Sequence, residues 1–178
     1  YKGVFAGIII ACVIISIGVQ MFQNSQLKSL LSIAVVDSNY NHDEQVEALQ
    51  NDFLAYAGTG DKHEVVDVDT SLLSGDDYNA VVKMTVVMGA GTADMMFCGE
   101  ETYKKYKQQE AFLSWKEVLG DDYSKYEEYM TDDGRLDLEK CPNWEKYNMV
   151  YYSPVYAVVM SSSKNLENCI KFLEMMVQ

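Results

Sequence analysis

The sequence predicts an α/β domain built on a mostly parallel sheet and standing behind one apolar helix. Three observations point there. From residue 30 onward, short apolar runs alternate with helical patterns as strand, helix, strand, helix, strand, and that succession implies right-handed crossovers onto a parallel sheet. Residues 81–97 hold a helix, a stop and a strand. Apolar residues at 81, 82, 84, 86, 87 and 88 suit a helix lying on a sheet, Gly89 and Gly91 release the chain, and Asp94 heads an apolar run of strand length. Residues 3–22 carry no charge, and about twenty such residues are what a helix needs to cross a hydrocarbon core.

Length and charge bound the rest. The 178 residues leave room for one domain plus appendages. Acidic residues number 27 against 14 basic ones, for a net charge of −13, and every acid lies after Val36. That balance argues against a nucleic-acid partner and against lying flat on an anionic bilayer. Cys12 sits inside the apolar run, leaving Cys98, Cys141 and Cys169 without C-x-x-C spacing, so packed free thiols are expected and a Cys141–Cys169 pairing is the one disulfide left open. His42 and His63 fall in separate polar segments, so neither a metal site nor a cofactor is expected.

Taken in order, residues 1–22 read as a transmembrane helix, longer than the apolar core of a signal peptide and without a small-x-small cleavage site. Lys2 before it and an acidic domain after it place the N-terminus in the cytoplasm and the C-terminal domain outside, as a single-pass protein of the cell membrane. Gly3, Gly7 and Ala11 recur every four residues, a small-residue face on which another transmembrane helix can pack closely. Residues 23–29 form a polar linker to a domain over residues 30–178. Residues 30–36 are a buried first strand, and Asn41 or Asp43 caps a helix to about Ala57, with Val46, Leu49, Phe53 and Leu54 inward. Gly58 and Gly60 end it. Residues 64–68 form a second strand, and residues 69–75 a loop into the helix before Gly89. Beyond the strand after Asp94 and the stretch to Leu119, residues 121–129 suggest a short amphipathic helix. Residues 132–134 signal a turn and residues 136–144 an irregular segment. Residues 150–152 and 155–160 supply a strand interrupted by Pro154, and Asn165 caps a last helix with Leu166, Ile170, Phe172, Leu173 and Met176 inward.

The helix, Gly-Ala-Gly-x-x-Asp and apolar strand of residues 81–97 resemble the first lobe of extracellular solute-binding proteins of ABC importers, the type 2 periplasmic-binding-protein fold. The helix near residue 100, the segment after Glu110 (where that family has glycine) and the closing stretch from Cys169 to Met176 are similar to it as well. The resemblance implies a single three-layer lobe with strand order 2-1-3-return strand, the return strand running antiparallel. Family members build a second lobe between the Leu119 region and the return strand, whereas only about thirty residues join those points here, too few for a lobe with its own core.

Chemistry is sparse. Val65-Val66-Asp67-Val68-Asp69-Thr70 is similar to the start of haloacid-dehalogenase-type phosphatases, but it falls on the second strand, and Asp76 and Asp77 follow too soon to hold magnesium from another strand. Gly89-Ala-Gly91 follows a helix and precedes a strand, the reverse of a phosphate cradle. Open parallel sheets bind at the carboxyl ends of their strands, so the ligand-binding or partner-facing residues expected are Ser38, Asn39, Thr70, Ser71 and Glu100. The expectation is a non-enzymatic partner subunit of a membrane complex, with an ABC transporter permease as the first candidate partner, the lipid bilayer around the N-terminal helix, and homo-oligomers allowed. The alternative is an extracytoplasmic receptor for a sugar, peptide or amino acid whose cleft a partner or a dimer completes. Aromatic residues of the 123–144 segment are the expected partner contacts.

Overall fold

The computed structural model describes residues 12–17 and 26–178. Residues 12–17 are helical, and the rest of the expected membrane helix, with Gly3, Gly7 and Ala11, lies outside the described residues. Among the described residues no helix is long and apolar enough to cross a membrane.

Strand β1 (Lys28–Val36) is flanked by β2 (Glu64–Leu72) and β3 (Met95–Cys98), both parallel to it. β6 (Tyr156–Met160) runs antiparallel to β3, with Met96 opposite Val158 and Met95 opposite Val159. Two short strands, β4 (Phe112–Leu113) and β5 (Leu136–Asp137), pair with the far side of β6. The sheet order is β2-β1-β3-β6-β4, so the predicted strands stand in the order 2-1-3-return.

Alternate residues of the strands feed two cores. Leu31, Ile33, Val35, Met95, Phe97, Ala157 and Val159 face one side, where α1 (Asp43–Ala57) brings Leu49 and Phe53 and α6 (Leu166–Val177) brings Phe172 and Met176. Ala34, Val36, Met96, Val158 and Met160 face the other, under Met84 and Val87 of α2 (Tyr78–Ala90) and Tyr103 and Tyr106 of α3 (Glu100–Lys107). Helices on both faces of one sheet make three layers.

The segment between α3 and β6 builds no separate lobe. α4 (Trp115–Leu119) starts on a capping box, Ser114 with Glu117, and the buried Trp115 indole donates to Ala157 O at 2.8 Å. Residues 120–129 wind as two 3-10 stretches in place of the expected helix. Met130, Leu136, Leu138, Trp144 of α5 (Trp144–Tyr147) and Met149 are then buried against the α1/α6 side of the sheet. Phe97 joins the layers, with Trp144 edge-on at 5.7 Å and Phe172 tilted at 5.7 Å.

Several expectations are corrected. β2 continues to Leu72 because its outward positions are polar: Asp67, Asp69 and Ser71 are exposed while Val66 and Leu72 are buried, the alternation of a strand with one wet face. Thr70 and Ser71 are therefore strand residues. They lie in a bulge, since Ala34 pairs with Asp69 and Val36 with Leu72. On α2 only Ala80, Met84 and Val87 are buried, because one face of a helix meets the sheet, and Val81, Val82 and Val86 stand exposed. Gly89 stays helical, and Gly91 alone takes the left-handed cap at φ 61°. Neither Asn41 nor Asp43 caps α1, whose N-cap is His42. Leu166 is exposed, and Asn165 stands at the N-cap of α6 as expected, with its side-chain amide donating to Asp94 at 3.1 Å in place of a capping bond. Residues 150–155 are not strand, and the Ser153–Pro154 peptide is cis.

Candidate functional site

At the carboxyl ends of β1, β2 and β3 the chain closes a shallow hollow of about 330 Å³. Asp37, at φ 52°, turns the chain out of β1. Its N–H donates to Leu72 O at 2.9 Å, and its Oδ1 accepts from Ser74 N at 3.0 Å, stitching the ends of β1 and β2 together. Past β3, Gly99 is the N-cap of α3, where a Cβ would stand 3.2 Å from the Tyr152 ring, a tight approach that favours glycine. The Tyr152 hydroxyl donates to Val36 O at 2.9 Å, and burial pushes that phenol well above its ordinary range. Glu100 and Glu101 occupy the first turn of α3, and with Asp37 they give the hollow three carboxylates and no lining lysine or arginine. The Arg135 guanidinium, bonded at 2.5 Å, holds the Glu100 carboxyl below its usual range.

Around this hollow the surface is aromatic. Tyr40, Tyr78 and Tyr151 are each at least three-quarters exposed, and Leu73 is more than half exposed. Tyr40 follows β1, Leu73 and Tyr78 follow β2, and Tyr151 precedes β6, so the topology gathers all four at one edge of the sheet.

The expected residues divide. Glu100 lines the hollow. Ser38 lies beside it with its hydroxyl donating to Thr70 O at 2.8 Å, and Asn39 donates its N–H to Met149 O, so these groups hold the bulge of β2 and the segment before β6. Thr70 and Ser71 lie on the edge strand, and Ser71 N donates to Asp69 at 2.9 Å. Trp144 and Tyr147 are buried, and Tyr123, Tyr126 and Tyr129 pack partly against the core, so the 123–144 segment lends its aromatic rings to the fold. The tyrosines that do face solvent at the edge lack a local period to mark them: Tyr151 falls within residues expected to be strand, Tyr40 lies between β1 and α1, and Tyr78 opens α2. Their signal was position, each next to a strand's carboxyl end or its return.

A larger hollow of about 510 Å³ lies near β4 and β5. There the guanidinium of Arg135, the sequence's single arginine, sits between the rings of Tyr103 and Tyr156, 4.3 Å and 4.0 Å from their centres. Asp133 accepts from it at 2.8 Å and from Lys107 at 3.2 Å. These charges answer one another, which suits a structural clasp between α3, β6 and the joining segment.

Covalent chemistry finds little footing. Burial pushes the Cys98, Cys141 and Cys169 thiols up to about 12, so none offers a thiolate at neutral pH. Asp67 and Asp69 point outward from the edge strand, and Asp69 is engaged with Ser71. Among the described residues no three His, Cys, Asp or Glu side chains gather as metal ligands. No protein-family model matches the chain, and no curated protein matches it.

Proposed function

We propose that this domain is a non-enzymatic partner subunit of a membrane complex, with its carboxyl edge covered by another protein. The observation that carries the reading is that Tyr40, Leu73 and Tyr151 all stand exposed at that edge. Tyrosine supplies large contact area at low ordering cost, and solvated faces seldom collect it. The resemblance to the first lobe of solute-binding proteins supports the same reading, since that edge is where the family's clamp closes, and here the joining segment packs beneath the sheet instead of forming the opposing lobe. On this reading residues 1–22 anchor the chain with its N-terminus in the cytoplasm, the domain stands outside the cell, and an ABC transporter is the first candidate assembly.

The hollow itself favours a second reading, a receptor for a small solute. Its volume falls in the range of ligand sites, and Asp37 and Glu101 with Tyr151 suit a sugar, a peptide amine or another cation, Glu100 being engaged by Arg135. An open hollow leaves one side of a solute wet, which weighs against tight binding.

Photo-crosslinking from positions 40 and 151 in native membranes, combined with calorimetry of residues 26–178 against sugar, amino-acid and peptide panels, separates the two. Adducts with one membrane protein at both positions, and no solute bound at micromolar affinity, are expected. A one-to-one solute complex at micromolar affinity with no adduct overturns the partner reading in favour of a receptor.

A further inference from the structure

The outer face of α2 carries a separate message. Between Asp77 and Asp94 the chain has no acid and a single charge, Lys83, within a protein of net charge −13. α2 is apolar nearly all round, a pattern that belongs to helices covered on more than one side, yet the sheet covers only Ala80, Met84 and Val87. Steps of 100° per residue put Tyr78, Val82, Thr85, Val86 and Gly89 together on the opposite side, and all five are exposed. Lys83 is drawn off this face to β2, its ammonium donating to Ser71 O at 3.2 Å.

The sizes along the stripe are graded. Tyr78 stands at one end and Gly89 at the other, with the two valines between. A Cβ at Gly89 would meet nothing within 4 Å, so the chain's own packing does not require glycine there, and glycine weakens a helix relative to alanine. If two copies of α2 cross antiparallel about a twofold axis near residue 84, Val82 of each meets Val86 of the other and each Tyr78 ring lies over the other's Gly89. The Tyr78, Val82, Val86 row is an i, i+4 ridge, the kind that interdigitates with its own copy. A twofold contact needs a self-complementary patch, and every acidic face of this protein repels its own copy.

We propose that the outer face of α2 is a self-association surface whose occupant is a second copy of this chain, packed antiparallel through Tyr78, Val82, Val86 and Gly89. Sedimentation of the full chain in detergent tests it. The unaltered chain is expected to run as two copies, and Val82→Glu with Val86→Glu to shift it to one copy by weakening association at least tenfold. Circular dichroism should be unchanged, since both side chains are exposed. Raising salt from about 0.05 M to about 0.5 M should tighten the pair, because screening relieves the repulsion between acidic copies while the apolar contact is indifferent to salt. In a Cys12→Ser background, Val82→Cys with Val86→Cys should yield an interchain 82–86 disulfide by mass spectrometry. A single copy in the unaltered chain overturns the proposal, as does a pair that survives the two glutamates, which would place the contact elsewhere. A third protein lost from α2 by those substitutions, with the chain alone at one copy, overturns it in favour of a different occupant.

Discussion

Glu110 holds φ at 55°, left-handed backbone that costs a side chain about 1 kcal/mol and that glycine adopts freely. Glu110→Gly is expected to stabilise residues 26–178 by about 0.5 kcal/mol, the relief of strain outweighing the freer unfolded chain, as read from the midpoint of urea unfolding. Arg135 shows the opposite case, a side chain no other residue can replace. Its planar guanidinium stacks between Tyr103 and Tyr156 while bonding Glu100 and Asp133. Arg135→Met is expected to cost about 2 kcal/mol by stranding two carboxylates, and Arg135→Lys to recover less than half of that, because an ammonium neither stacks between rings nor forks to two acids. Nothing in the sequence announced this clasp, because its members lie at 100, 103, 133, 135 and 156 and meet only through the fold.

At the scale of elements, legibility followed the strength of the local period. β1 and β3 are buried on both faces and read as continuous apolar runs, and α1 shows its Leu49 and Phe53 stripe, so these were visible in the sequence. β4 and β5 were not, because strands of two residues carry no period and exist only where β6 offers them an edge. α2 was seen as a helix but with no face assigned inward, since a helix apolar on every side does not say which side the sheet takes. Its start is better defined. The Asp77 carboxylate accepts from Asn79 N at 3.0 Å and Ala80 N at 3.1 Å, and Asp77→Ala is expected to cost about 1 kcal/mol in urea unfolding with no change in the spectrum of the folded state. The candidate site was legible as an edge and illegible in its contents, because Tyr40, Tyr78 at the start of α2 and Tyr151 come from three separate segments that only the sheet order unites.

For the molecule as a whole, acid is the condition that discriminates. Burial opposes ionisation of Asp133, yet the Thr131 hydroxyl, Arg135 and Lys107 hold it at about 2, and Lys146 with Tyr147 holds Asp52 below its usual range, as Arg135 does Glu100. Groups depressed in the folded state bind fewer protons there than in the unfolded chain, so their contribution is whole above the ordinary carboxylate range and is lost as pH falls from about 4.5 toward 2. Burial raises Asp137 and works the other way, but among the described carboxyls it is one group against eight that are lowered. Melting temperature is therefore expected to be level from pH 7 to about 5 and to drop steeply below 4, with the drop smaller in Arg135→Met. The position of β6 has a consequence for how the chain is made. β3 receives its second neighbour only when residues 156–160 arrive, roughly sixty residues after Cys98. At about 5–20 residues per second of synthesis, the nascent chain carries β3, apolar on both faces, with an open edge for roughly 3–12 s. A ribosome that stalls before Tyr156 thus releases a chain missing part of its sheet's interior, a sticky fragment that only a holdase or a protease can manage.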